Sequence, residues 1–188
     1  PYPCGSLSHP SMDALLDLIN EHDINPLDVE TVQLGAGNNI LFPLRYVNPQ
    51  NELEAKFSLQ FCLAILLLRR RAGLREFKDD VVRDPAVCEM MTRVHTYHDQ
   101  TIESQGSTRM LSIVKVQMKN GEIFQKEAST SRGQPDRPMD KSELEGKFSN
   151  CAEEILDQKG IEEAIQTISR VDTLNNISEI VNQLTIRN

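Results

Sequence analysis

Residues 52–72, "ELEAKFSLQFCLAILLLRRRA", constrain this chain more than any other stretch. The first half is polar, while Phe61 to Leu68 would be apolar on nearly every side of a helix. An amphipathic helix can lie on a surface, but a cylinder that is apolar all round is stable only when surrounded. The apolar run is far shorter than the roughly 20 residues of a membrane span, and it ends in Arg69-Arg70-Arg71. The spacing therefore predicts a central buried helix over 52–72, with Gly73 as its stop.

Other elements must supply the walls around it. Met12, Leu15, Leu16, Leu18 and Ile19 form a helical stripe, with Ser8 or Ser11 as caps and Pro10 in the first turn. Val29 to Leu34 alternate as a strand does. "AGNNILFPLRYVNPQN" reads as a long loop, which is costly unless it has a task. Short helices follow around Pro85, and "RVHTYHD" begins a strand. "RMLSIVKVQMKNGEIFQKEAS" alternates on both sides of Asn120-Gly121, predicting antiparallel strands over 109–118 and 122–129 joined by a two-residue primed turn. "TSRGQPDRPMD" (130–140) is a Pro/Gly/Arg linker, after which only helical patterns occur: 141–157, 161–170 and 177–185. Asp140 with Glu143, and Asn176 with Glu179, are capping pairs. The tail's stripe is Phe148, Ile155, Ile165, Ile168, Ile180 and Leu184. The expected class is α+β: a small antiparallel-sheet domain over 1–137 with a buried central helix, then an all-helical tail over 138–188.

Charge removes several functions. The 188 residues carry a formal net charge of -8, without tryptophan and with only 3 Tyr and 6 Phe. Nucleic acid and anionic membrane surfaces are thereby poor partners, since both require a basic face. A small anion needs only a local cluster of arginines. Cys4, Cys62, Cys88 and Cys151 are widely spaced, with no CxxC pair; three sit in segments that read as helix, where a cysteine is usually a small buried hydrophobe, and the set reads as a reducing cytoplasm without disulfides or zinc.

No self-sufficient catalytic motif is present: no phosphate-cradling glycine loop, nucleophile elbow or HExxH. "GAGNN" has G-x-G but lacks the third glycine and a following helix. In "PYPCGSLSHP", His9 arrives just ahead of a helix, where an imidazole can serve as general acid or base or simply as a cap or core residue. Arg45-Tyr46 set a fixed cation beside a phenol, a pair able to hold a carboxylate and exchange a proton, or else a surface ion pair. Arg132-Gly133 resembles an anion-binding turn. Lys56 and Ser58 lie near the start of the buried helix, where anions are favoured. His95 and His98 flank Tyr97 on what reads as a solvated strand edge, and His22 suits a helix C-terminus.

Four segments, "PYPCGSLSHP", "EAKFSLQFCLA", "DPAVCEMMTRV" and "RGQPDRPMDKSELEGKF", together resemble the C-terminal half of MmgE/PrpD proteins. That family includes 2-methylcitrate dehydratases, cis-aconitate decarboxylase and iminodisuccinate epimerase. The resemblance implies a two-part enzyme. A helical body is built from the N-terminal half plus the last helices, an α+β lid is inserted between them, and the active site lies in the cleft. On that basis the chain is expected to be the C-terminal part of a longer enzyme whose N-terminal helical domain lies upstream, along with a lysine just before the Y/F-P motif. His9 matches a histidine of that motif. Tyr46 falls where the decarboxylase branch places an active-site tyrosine, and Gly5 stands where that branch carries a further histidine. The implied activity is acid/base dehydration of a small di- or tricarboxylate such as 2-methylcitrate, as in propionate catabolism. His9 and Tyr46 would be catalytic; Arg45, Lys56, Ser58 and Arg132 would bind substrate; no metal or cofactor is implied. A cytoplasmic homo-oligomer, a homodimer, is expected, because a domain parted from its body exposes apolar surface. The alternatives are epimerisation, isomerisation or decarboxylation within the family, or a non-catalytic module binding a carboxylate or a protein.

Overall fold

A computed structural model describes residues 1–106 and 110–185. The chain divides into two compact units, Pro1–Pro138 and Met139 onward. In the first, a 3-10 turn (Ser6–Ser8) leads into α1 (His9–His22), β1 (Val29–Ala36), the single turns α2 (Asn38–Leu41) and α3 (Glu52–Ala55), and α4 (Leu59–Arg69). Then come the turn α5 (Asp79–Val82), α6 (Pro85–Thr92), β2 (Val94–His98), the turn α7 (Gln100–Glu103), β3 (Ser112–Met118) and β4 (Ile123–Ala128). The class is α+β, but the sheet is mixed rather than wholly antiparallel. Its order is β2-β1-β3-β4, with β2 parallel to β1 through Val32↔Val94. Parallel neighbours require a crossover, and the segment between β1 and β2 carries the apolar helix as that crossover.

Helix α4 packs on β2, α1 and α6, and α1 packs on β3 and β4. From Leu59 to Leu67 every residue of α4 is buried, with the Phe61 and Phe77 rings tilted against each other at 5.2 Å between centroids. The predicted helix over 52–72 is nevertheless broken at Lys56–Ser58. Ser58 is extended, pairs with Arg45 across an antiparallel bridge, and accepts the Phe61 N–H at 3.1 Å as the cap of α4. The helix also ends before Gly73. Arg70 takes the left-handed conformation (φ 54°), giving its N–H to the Leu66 carbonyl at 2.8 Å. Its guanidinium bonds Asp23 at 2.8 Å and the Ile24 carbonyl at 3.3 Å, contacts that offset a strain glycine would avoid.

The hairpin sits where alternation places it, but its turn is different. Gly121 has φ of 90° while Asn120 does not enter the positive region. Gly121 N–H bonds the Met118 carbonyl at 2.9 Å, and Met118 N–H bonds the Glu122 carbonyl at 2.8 Å. This is a turn closed by one left-handed glycine rather than a two-residue primed turn. Arg109, assigned to the first strand from sequence, lies outside the described residues.

The second unit holds α8 (Lys141–Ala152) and α10 (Ser178–Leu184), each shorter than its periodicity predicts, and α9 (Gln158–Ile168), which starts three residues earlier and ends two earlier than predicted. Asp140 and Glu143 form the expected capping box, at 2.9 and 3.0 Å. Among its described residues only Ile161, Ala164 and Thr167 are buried, whereas Leu144, Ile155, Ile168, Val181 and Leu184 are exposed. Leu144, Phe148, Ile165 and Ile168 line a groove of about 200 Å³ between α8 and α9.

Candidate active site

The first nine residues are pinned from two sides. Tyr2 is buried and donates its O–H to Asp13 at 2.6 Å. Gly5 N–H donates to the Lys56 carbonyl at 2.8 Å. The approach at Gly5 is close: a Cβ there would lie 2.9 Å from Leu44 Cδ2 and 3.4 Å from both Phe57 Cδ1 and the Lys56 carbonyl. Leu44 is itself buried and cannot swing freely. His9 is the first residue of α1 rather than a residue ahead of it. It is half-buried, with its ring edge-on to Tyr2 (centroids 5.3 Å apart) and Nε2 3.2 Å from the Cys4 carbonyl. A carbonyl only accepts, so Nε2 carries the hydrogen and Nδ1 holds the lone pair in the neutral ring.

Through Gly5, this segment is tied to the loop that bears the other candidates. Tyr46 N–H reaches the Phe57 carbonyl at 3.3 Å, one residue beyond Gly5's partner. Tyr46 is half-buried, and the exposed Arg45 guanidinium lies 5.5 Å from its ring centroid, within cation–π range. Lys56 Nζ bonds Glu52 at 2.6 Å, one turn earlier. Ser58 is fully buried, and its hydroxyl caps α4.

Arg132 is on a different errand. Its backbone N–H and Nε meet the two Asp13 oxygens at 2.6 and 2.9 Å, and Nη2 meets Tyr2 Oη at 2.9 Å. Gly133 N–H is used by the Arg137 carbonyl at 2.8 Å. The turn does hold an anion, but the anion is the buried Asp13 carboxylate of α1. Burial, followed by the Asp13 charge, drives the Tyr2 phenol far above its ordinary range.

Sequence patterning gave no sign of Cys4. Its Sγ lies 3.3 Å from Ser8 Oγ and 3.6 Å from Met12 Sδ. Hydrogen bonding to Cys62 brings the thiol down to about 5 despite burial, with His9 and Ser8 adding to the effect. His95 is exposed, His98 bonds Glu103 at 3.2 Å, and His22 stacks on Phe124 at 3.9 Å. Among the described residues no group of three or more His, Cys, Asp or Glu could hold a metal ion, and no helix is long and apolar enough to cross a membrane.

His9 and Tyr46 are thus carried on two segments of an α+β domain that are tied to the residues around Lys56 by backbone hydrogen bonds. The family follows from the chain as a whole. The model of the MmgE/PrpD C-terminal domain matches residues 2–173, and the chain belongs to that family. It is similar to the cis-aconitate decarboxylase of Mus musculus, with 25% identity over 144 residues covering 75% of this chain and 29% of that protein. The similarity to the Homo sapiens cis-aconitate decarboxylase is also 25%, over 172 residues covering 89% of this chain and 34% of that protein. The chain thus spans about a third of the length of these relatives.

Proposed function

We propose that this chain is the C-terminal, lid-type part of a longer lyase that dehydrates a small hydroxylated di- or tricarboxylate such as 2-methylcitrate. Family membership supports this, and the Gly5–Lys56 bond carries it, because it fastens the His9 segment to the loop of Arg45 and Tyr46. In this mechanism His9 takes the proton from the carbon beside a carboxylate. Arg45 holds one flanking carboxylate, and Lys56 holds another by exchanging Glu52 for it. Tyr46 protonates the departing hydroxyl, which leaves as water while the carbon–carbon double bond forms. The side chains contribute proton transfers and contacts between charges, while the substrate's own carbon–oxygen bond breaks as its double bond forms. Arg132 acts as an anchor for Asp13, and Ser58 as the cap of α4.

The tail helices would complete the helical body of the longer protein, which fits their uncovered Leu144, Ile168, Val181 and Leu184. Phe42 and Val47, exposed on the Tyr46 loop, and Leu53, exposed on α3, would face that body or a second copy in a cytoplasmic homo-oligomer. A second mechanism, decarboxylation, is favoured by the names of the two relatives. Against it stands Gly5, where the decarboxylase branch carries histidine and where Leu44 and Phe57 leave little room.

Proton NMR of the full-length protein incubated separately with 2-methylcitrate and with cis-aconitate distinguishes the two. Loss of water from 2-methylcitrate is the expected result. Release of carbon dioxide from cis-aconitate, with 2-methylcitrate untouched, would overturn dehydration.

A further inference from the structure

The His9 imidazole is gripped by two groups from one short stretch of chain. The Tyr2 ring stands edge-on to it, with centroids 5.3 Å apart and planes at 80°, and the Cys4 carbonyl lies 3.2 Å from Nε2. Pro3 separates the two, fixing its own φ and narrowing the backbone choices of Tyr2, so that Tyr2 and Cys4 hold one mutual orientation. Beyond Cys4 the stretch is fastened by the Gly5 N–H on the Lys56 carbonyl at 2.8 Å. At its other end the Tyr2 phenol both donates and accepts. Oη donates to Asp13 Oδ1 at 2.6 Å and accepts from Arg132 Nη2 at 2.9 Å. Arg132 closes the loop, giving its backbone N–H to Asp13 Oδ2 at 2.6 Å and Nε to Oδ1 at 2.9 Å. Asp13 lies one helical turn after His9 in α1, so the anchor and the imidazole share a helix face. Its side chain has no exposed surface, and Tyr2 is 8% exposed. A buried charged network of this kind holds its members in one arrangement, because another would leave a charge unmatched.

We propose that Tyr2, Asp13 and Arg132 are positioning residues for His9. The network fixes the Tyr2 ring; that ring and the Cys4 carbonyl then hold the imidazole as its Nε2–H tautomer, so that Nδ1 is the nitrogen that takes the substrate's proton. This assignment rests on the proposed role of His9 as the base. A ring free to turn would offer either nitrogen in many directions, whereas a held ring offers one. Misplacement by about 1 Å can cost a reaction about a hundredfold. Arg132 thereby serves the reaction without touching the substrate.

The test is nitrogen NMR of the full-length protein carrying isotope-labelled histidine, with the His9 signals identified by their loss in His9→Ala. At about pH 8.5, where an ordinary imidazole is neutral, the wild type should show a single tautomer with the proton on Nε2. Tyr2→Phe keeps the ring but cuts both bonds at Oη, and should give signals averaged between the two tautomers. A wild-type pattern in the folded variant would overturn the proposal. Should Tyr2→Phe not fold, Arg132→Lys is read in the same way, since it keeps a charge for Asp13 but loses the reach to Tyr2 Oη. A merely structural network would lower stability and leave these signals unmoved. Turnover of 2-methylcitrate separates the positioning from the reading on which it rests. Tyr2→Phe should lower kcat at least about tenfold while KM stays within about twofold. An unchanged kcat alongside an inactive His9→Ala would contradict the proposal. Wild-type turnover by His9→Ala would instead refute dehydration through His9, and the tautomer signals, which need no substrate, would still decide whether the network sets the ring.

Discussion

Asp13 is a carboxylate with no exposed side-chain surface, and its charge is met by one guanidinium, one backbone N–H and one phenol. Removing one member of a buried pair leaves the other charge unmatched, which typically costs roughly 3–5 kcal/mol. Arg132→Ala should therefore lower unfolding stability by about 3 kcal/mol or more in a denaturant titration. Arg132→Lys should recover only part of that loss, because an ammonium cannot span both the carboxylate and Tyr2 Oη. A variant as stable as the wild type would remove the network from the account. The turn at Arg132-Gly133 was legible as a place for an anion. The identity of the anion was not, since Asp13 lies 119 positions away and sits within an otherwise apolar helical stripe. His9 and Tyr46 stood out by residue type, but Cys4 did not, because an isolated cysteine in sequence does not show its neighbours.

Elements followed from periodicity wherever burial and periodicity agreed. The fully apolar turns of α4, the stripe of α1 and the alternation of β3 and β4 all reflect faces that lie against the core. The break at Lys56–Ser58 was invisible because helical propensity continues through it, and only the pairing of Ser58 with Arg45 interrupts the helix. The parallel placement of β2 was likewise hidden, since a strand's pattern does not reveal the direction of its neighbour. Beyond β1 and β2, the turns α2 and α7 are joined by Glu103, which accepts the Asn38 N–H at 2.6 Å and contacts His98. The Asn38 bond first, and His98 second, hold the Glu103 carboxyl below its ordinary range. A carboxyl held low in the folded state adds stability that is complete above its unfolded value, near 4.3, and is lost as pH falls through the lower folded value. Glu103→Gln should therefore flatten part of the stability loss below about pH 4.3, measured by thermal unfolding across pH. An unchanged acid slope would contradict this linkage.

At the scale of the whole molecule, the first unit has a well-filled core while the second buries little of its apolar surface, and the chain spans about a third of its relatives. A partial cleft follows if His9 and Tyr46 work against groups supplied by the remainder of a longer protein. The most direct measurement is kcat/KM of the full-length protein on 2-methylcitrate, compared with His9→Ala. Removal of a general base commonly costs about a hundredfold or more. A drop of at least that size, with circular dichroism unchanged and Tyr46→Phe also impaired, is the predicted result. Wild-type turnover by a folded His9→Ala enzyme would contradict the proposed mechanism at its centre.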